Sequence, residues 1–170
     1  MNIIKIIKAT EEEPQGYTMR PTAKGVIFNA VGEVAIYDGL LPGGGVENNE
    51  TFEEALKREC IEEIGHAIEN INELGTVIQY RDLSKRKYEV HGYMADVVGD
   101  AVVPTTTQES EIGRTFTWVT LDEAIHTLEQ EIGDLQKADQ TLYPGDTYQA
   151  KLYNRQTAVF LLRETKKYIQ

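Results

Sequence analysis

Three glutamates, Glu59, Glu62 and Glu63, lie within five positions of the segment RECIEEIG at residues 58–65. If this segment is helical, Glu59 faces both of the other carboxylates, and like-charge pairs at these spacings each cost a helix roughly 0.2–0.5 kcal/mol. The chain already carries a formal net charge of -11. Binding of a divalent cation would explain why more negative charge is concentrated on this segment.

A helical wheel places the three glutamates on the apolar side of the helix. At about 100° per residue they share one arc of roughly 120° with Phe52, Ala55 and Leu56. A solvated acidic face would lie on the opposite side. Burial alone would raise the carboxyl pKa values and discharge the groups, whereas Mg²⁺ or Mn²⁺ binds the ionised form. The pattern therefore favours a cation site.

A glycine-rich loop, LPGGG at residues 41–45, precedes this helix. Its glycines allow the backbone to approach a ligand closely, and a bare carbonyl can join the oxygen shell of a metal ion. The ends of the helix are well marked, because Thr51 and Glu54 have the spacing of a capping box and Gly65 suits the position after the last turn. Since the carboxylates lie toward the C-terminal half of the helix, phosphate would bind beside them only through a metal ion.

Residues 44–66, GGVENNETFEEALKRECIEEIGH, resemble the Nudix box, G-x5-E-x7-R-E-U-x-E-E-x-G-U, in which U is a bulky aliphatic residue. Cys60 replaces the first aliphatic residue, and we expect it to pack as a small hydrophobe. His66 replaces the last one, so the contact that ends the helix should pass to Ala67 or Ile68. The positions that agree in type and spacing are Gly44, Glu50, Arg58, Glu59, Glu62, Glu63 and Gly65.

The resemblance implies an α/β/α sandwich with a mixed β-sheet, and metal-dependent hydrolysis of a nucleoside diphosphate linked to another group, X. By position, Glu59, Glu62 and Glu63 would hold Mg²⁺, with Mn²⁺ as an alternative, and the carbonyl of Gly43 would assist. The metal would neutralise the diphosphate, activate a water and stabilise the leaving oxygen. The residues implied to brace the box are Gly44, Glu50, Arg58 and Gly65, with Glu50 paired to Arg58.

Nudix enzymes often take a further acidic residue from a late loop, and Glu109 and Glu111 lie in such a loop before Trp118. A solvated surface residue is the simpler interpretation of Glu109, and for Glu111 it has about the same weight as a contact with metal or water. Glu111 is nearer to the strand-like segment TFTWV, so we expect its position to be better fixed. The residues expected to take part in catalysis are Arg58, Glu59, Glu62 and Glu111.

Basic side chains are concentrated in the segment RDLSKRK at residues 81–87, which is unusual in so acidic a chain. An ordinary solvated hairpin tip is the simpler interpretation. The alternative is contact with a phosphate or a ribose, and the candidates for substrate binding are Arg81 and Arg86. Arg20, which leads into the first predicted hairpin, is a third candidate.

The arrangement of predicted elements indicates a single domain over residues 1–170, in the α/β or α+β class, with helices packed on a mixed sheet. Residues 148–168 predict an amphipathic C-terminal helix packed on this domain. A second capping box, Thr120 with Glu123, predicts another helix start. The remaining predictions are a hairpin over 24–39, strands over 73–81, 88–98 and 115–119, and a helix over 121–130.

Composition limits the class of protein. With 41% hydrophobic and 26% charged residues the chain can bury a core. An isoelectric point near 4.7 argues against non-specific binding to nucleic acid or anionic membranes. A single cysteine, Cys60, suits a reducing compartment, and no segment predicts a signal peptide or a membrane span. We expect a cytoplasmic protein whose partner is a nucleotide-type small molecule. The sequence does not decide between a monomer and a homodimer.

The leading functional hypothesis is a MutT-like nucleotide pyrophosphatase that uses Mg²⁺ to hydrolyse a nucleoside triphosphate or related nucleotide. Another nucleoside diphosphate derivative, such as a nucleotide sugar, is an alternative because subfamily signatures are missing and X is undetermined. A nucleotide-sensing module on the same fold is a second alternative, although it would be expected to lose box glutamates. A diphosphate isomerase would need an additional cysteine or glutamate site, and Cys60 lies within the helix.

Overall fold

The computed structural model describes residues 2–9, 15–103 and 115–169. Within them, one mixed sheet has the spatial order β1-β4-β5-β2-β3-β6. The β1–β4 and β2–β5 pairs are parallel, and the other neighbouring pairs are antiparallel. The strands are β1 (Ile3–Ile7), β2 (Thr18–Phe28), β3 (Val34–Tyr37), β4 (Ala67–Arg81), β5 (Arg86–Val98) and β6 (Phe116–Val119).

Among the described residues, three α-helices cover the two faces of this sheet. They are α1 (Phe52–Ile64), α2 (Leu121–Lys137) and α3 (Thr147–Thr165), with a short 3₁₀ turn between the last two. Helix α1 shares a core with one face of the sheet, whereas α2 and α3 share a second core with the other face. The α/β/α arrangement with a mixed sheet is therefore confirmed. None of the helices in the described ranges has the length and apolar character needed to cross a membrane.

Side-chain alternation along the strands separates the two cores. In β2, Ala23 and Ile27 face α1. Val26 points to the opposite face and packs in the same core as Leu161 and Leu162 of α3. Successive strand residues point to opposite faces, so one strand can contribute to both layers. Cys60 is fully buried in the α1 core, as expected of a small hydrophobe. Ile68 is buried in the same core and takes over the contact that follows the helix end.

Both predicted capping boxes are present. The Thr51 hydroxyl accepts a hydrogen bond from the Glu54 amide, and the Glu54 carboxylate accepts one from the Thr51 amide at 2.8 Å. Thr120 and Glu123 repeat the arrangement at the start of α2. Gly65 ends α1 with a φ of 68°, a left-handed conformation that favours glycine.

Four elements extend at least two residues beyond their predicted limits. Strand β2 begins at Thr18 rather than at residue 24, because it pairs with β5 along its whole length. Strand β4 begins at Ala67 rather than at residue 73, because pairing with β5 holds its polar first half. The pairing register is irregular near Asn70. Helix α2 continues to Lys137 because Leu128 and Leu135 are buried along its second half. Strand β5 begins at Arg86, so the turn after β4 is shorter than the segment RDLSKRK.

The glycine loop is fixed by backbone pairing with the free edge of β2. Strands β2 and β3 pair only where Phe28 meets Val34, which leaves a gap between them. The loop fills this gap: the Ala23 amide donates to the Gly44 carbonyl at 2.9 Å, and the Gly25 amide donates to Pro42 at 3.0 Å. The loop therefore lies in the plane of the sheet, with the α1 layer on one side of it and the α3 layer on the other.

Candidate active site

The structure places two of the three box glutamates in the interior. Glu59 is 3% exposed and Glu63 is 6% exposed, whereas the Glu62 side chain is 29% exposed. Ile61, predicted to lie on the far side of the helix, is 38% exposed. The helical wheel therefore assigned the acidic residues to the correct side of α1, against the usual preference for solvated charge.

Arg58 connects the carboxylates of the box. Its guanidinium donates two hydrogen bonds to Glu50, at 2.8 and 3.2 Å, so the expected pair is present and bidentate. The same group donates to Glu59 at 2.9 Å, to Glu62 at 3.3 Å and to the Gly45 carbonyl at 3.1 Å. One cation therefore hydrogen-bonds to three carboxylates, offsets part of their charge and holds the glycine loop against α1.

Burial and Arg58 act in opposite directions on these acids. The hydrogen bonds from Arg58 hold the pKa of Glu50 below its usual value. Burial raises the pKa of Glu59, and the contact with Arg58 opposes this effect. Without a cation beside it, the ionised Glu59 is thus costly to bury.

Two glycines allow the loop to touch the carboxylates. The Gly43 amide donates to Glu63 at 2.7 Å, and Gly43 has a φ of +124°, which other residues rarely adopt. A Cβ atom on Gly44 would overlap the Glu59 carboxylate. The close approach of backbone and carboxylate therefore requires glycine at both positions.

Lys24 is a site residue that the sequence analysis did not identify. Its ammonium group donates to the carbonyl of Leu41 at 2.9 Å and to the carbonyl of Gly43. The carbonyl expected to assist a metal ion is thus in contact with a cation of the protein itself. Arg20, Thr22 and Lys24 alternate along β2, and this period-two pattern is the signal that could have found Lys24.

The donor set suits a hard divalent cation in its chemistry, since carboxylate and carbonyl oxygens are the ligands that Mg²⁺ prefers. The absence of a side chain at Gly44 is what allows the Glu59 carboxylate to lie against the glycine loop. Over residues 2–9, 15–103 and 115–169, however, no three acidic, histidine or cysteine side chains are gathered as a ready-made cation site. Glu59 and Glu62 are held by Arg58, and Glu63 by Gly43. A cation at Glu59 and Glu62 would replace part of their contact with Arg58.

The three candidate arginines lie together. Arg20, Arg81 and Arg86 line one cavity of about 360 Å³ between the sheet and α3, and the glycine loop forms part of its wall. Arg81 is only 6% exposed, so the interpretation of a solvated hairpin tip is wrong for this residue. The cause is α3, whose Asn154 accepts a hydrogen bond from Arg81 at 2.8 Å. Glu109 and Glu111 lie outside the described residues.

We predict that Gly44→Ala displaces the Glu59 carboxylate and destabilises the protein by about 1–3 kcal/mol, the usual cost of overpacking a buried site. Thermal unfolding measures this change. Gly45→Ala is the matched control, because a Cβ there meets only the flexible Arg20 side chain, at 3.4 Å. Equal unfolding temperatures for the two variants would contradict the contact between Gly44 and Glu59.

Comparison with known proteins agrees with this fold. The family model described as the NUDIX domain matches residues 28–141. A NUDIX hydrolase from Nitrosomonas europaea has a TM-score of 0.52 at 20% identity, covering 62% of this chain and 75% of that one. A MutT NUDIX hydrolase from Burkholderia pseudomallei has a TM-score of 0.50 at 25% identity, covering 62% and 85%. Among curated protein sequences, none matches this chain.

The family match extends well beyond the box. It runs from the last residue of β2 to the 3₁₀ turn after α2, which is more than half of the chain. The matched residues include the strands from β3 to β6, the helices α1 and α2, and the Glu50–Arg58 pair. The chain therefore belongs to the NUDIX domain family and is a Nudix hydrolase.

Proposed function

We propose that the chain hydrolyses the diphosphate linkage of a nucleoside triphosphate or related nucleotide, with Mg²⁺ held by Glu59, Glu62, Glu63 and the carbonyl of Gly43. The observation that carries the proposal is the buried carboxylate cluster, in which Arg58 and the glycine loop hold acids that are costly to bury without a cation. When bound, the metal would supply neutralisation of the diphosphate and activation of water.

The protein's own residues would hold and orient the substrate. Arg58 would keep Glu59 and Glu62 ionised and correctly placed, because a guanidinium beside a carboxylate favours its charged form. Glu63 would fix the loop through the Gly43 amide. Lys24 and Arg20, on the other side of the loop, would face the phosphate oxygens and offset their charge.

We also propose that residues 1–170 act as one Nudix domain that includes the C-terminal helix. Support comes from α3, whose Leu161 and Leu162 are fully buried in the core shared with α2 and the sheet. Removing this helix would uncover that core and one wall of the cavity.

The test is a panel of nucleoside triphosphates, nucleotide sugars and other diphosphate-bridged nucleotides, assayed for phosphate or pyrophosphate release. We expect turnover of at least one nucleoside triphosphate with Mg²⁺, and loss of turnover when EDTA is added. Preferred cleavage of a nucleotide sugar would move the assignment to that class. Absence of turnover across the panel, with either Mg²⁺ or Mn²⁺, would contradict the proposed function.

A further inference from the structure

The cavity between the sheet and α3 concentrates positive charge within an acidic protein. Arg20, Lys24 and Arg86 line it with Arg81, although the chain has a formal net charge of -11. Among the described residues, none of these four side chains has a carboxylate within ion-pair distance. Like charges brought together without ion-pair partners repel one another, so the cavity is suited to an anionic ligand.

The cations are arranged by depth. Arg20 and Arg86 are exposed at the mouth of the cavity, whereas Arg81 is 6% exposed at its floor. Asp146 acts on Arg81 only from beyond ion-pair distance. Burial lowers the pKa of the Arg81 guanidinium, and the charges of Arg20 and Arg86 act in the same direction. Keeping Arg81 charged in this buried position therefore costs free energy.

The Arg81 guanidinium uses some of its nitrogens for hydrogen bonds within the protein and leaves another for a ligand. Its guanidinium lies 3.8 Å from the centre of the Tyr88 ring, and Nη2 donates to Gln79 and Asn154 at 3.2 and 2.8 Å. Within the part of the chain that the structure describes, Nη1 has no hydrogen-bond partner. A buried, pre-oriented guanidinium with a free edge is well suited to bind an oxyanion.

The same contacts argue against a nucleobase in this cavity. The face of Tyr88 that could stack on a base is covered by Arg81. The Gln79 amide donates to Thr157 at 2.7 Å and accepts from Arg81, so it has little capacity left to recognise a base edge. Besides apolar side chains such as Leu41, Val90 and Leu161, the cavity therefore offers a ligand mainly its cations.

The cavity adjoins the acidic site. Arg20 and Gly45 line both this cavity and the smaller hollow that contains Glu59. A substrate could thus place one diphosphate beside the box glutamates and another group among the arginines. Arg20, Lys24 and α3 lie outside the residues matched by the family model, so the cavity depends partly on elements of this chain beyond that match.

Resting on the proposed function, we propose that this cavity binds a further phosphate group of the substrate, beyond the diphosphate that is cleaved. Arg86 and Arg20 attract that phosphate at the mouth, and Arg81 binds it at the floor. The phosphate comes either from the end of a nucleoside triphosphate or from group X. The protein then prefers substrates that carry three or more phosphates.

The first experiment measures binding without turnover. Inorganic phosphate is titrated into the protein in EDTA, and arginine Nε–H signals are followed by NMR. We expect saturable shifts of the Arg81 and Arg20 signals. Arg86→Gln should weaken binding about tenfold, as expected for loss of one charge-assisted contact. Lys87→Gln is the matched control, because it removes the same charge from the opposite face of β5, where Lys87 lies 5.6 Å from the Tyr80 ring.

The second experiment measures specificity and identifies the source of the phosphate. The kcat/KM values are compared for GTP against GDP, and for coenzyme A against dephospho-coenzyme A. We expect the more phosphorylated member of at least one pair to be favoured about tenfold or more, and the preference to disappear in Arg86→Gln but not in Lys87→Gln. A preference within the first pair assigns the phosphate to the triphosphate; one within the second assigns it to group X.

The outcomes separate this inference from the proposed function. Absence of phosphate-dependent shifts at Arg81, or shifts confined to Lys24 and the glycine loop, would overturn the inference even if nucleotides are hydrolysed. Equal kcat/KM values within both pairs would also overturn it. Saturable binding at Arg81 in a protein that hydrolyses no nucleotide would contradict the proposed function. It would support a phosphate-binding site in the cavity, but not its role in choosing a substrate.

Discussion

Glu62→Gln should remove nucleotide hydrolysis while leaving the fold intact. We expect kcat at saturating Mg²⁺ to fall at least about 10³-fold, because a metal ion contributes several kcal/mol of charge stabilisation and each 1.36 kcal/mol is tenfold in rate. The substitution preserves shape and removes one charge from a repulsive cluster. Since Glu62 is the most exposed of the three box glutamates and its contact with Arg58 is long, at 3.3 Å, the unfolding temperature should change little.

Glu53→Gln is the matched control for this experiment. It removes one carboxylate from an exposed position at the start of the same helix. Its kcat should equal that of the wild type. If Glu62→Gln retained activity within a few-fold of the wild type, or if both variants lost activity equally, Glu62 would not be a metal ligand.

Arg58→Ala should be the most destabilising single substitution in the box. Arg58 contacts Glu50, Glu59 and Glu62, and its removal takes away the ion-pair partner of the buried Glu59 carboxylate. Breaking one side of such a buried network costs about 3–5 kcal/mol. For a chain of this size that corresponds to a decrease in Tm on the order of 10 °C. Activity should fall as well, because Glu59 and Glu62, the carboxylates proposed to hold Mg²⁺, lose their orientation.

The stability lost in Arg58→Ala should be larger at neutral pH than in acid. In the wild type the pKa of Glu50 is lowered, so its stabilising contribution is present above the ordinary carboxyl pKa and is lost as the pH falls through the lowered value. In the variant, the unpaired Glu59 is relieved by protonation as the pH falls. Both effects make the difference in unfolding free energy large at neutral pH and smaller in acid.

Lys57→Ala is the control, because Lys57 is exposed next to Arg58 on the same helix. Its effect should stay within about 0.5 kcal/mol. Arg58→Lys should recover only part of the lost stability, since an ammonium cannot form the bidentate contact with Glu50. Unchanged melting of Arg58→Ala would show that the network contributes nothing to stability.

The local features of the site could be predicted from the sequence because they depend on residues close together in the chain. Thr51, Glu54 and Gly65 determine where α1 begins and ends through hydrogen bonds that span three or four residues. The 3.6-residue period of the same segment determines that Glu59 and Glu63 face the interior. The Nudix box itself is a local pattern of this kind.

Other features were decided only by tertiary structure. Arg81 follows a pattern typical of a solvated turn, yet it is buried because Asn154, on α3, covers it from 73 positions further along the chain. Lys24 reaches the Gly43 carbonyl because the glycine loop pairs with the edge of β2. The polar first half of β4 is a strand because β5 supplies its hydrogen bonds.

The sequence therefore determined the acidic half of the site, and the fold decided the basic half. The carboxylates and their arginine are placed by one helix and the loop before it, so their geometry follows from local spacing. The cationic cavity needs β2, β4, β5 and α3 together. No local preference encodes that assembly, because burial of an arginine depends on which apolar and polar surfaces close over it when the layers pack.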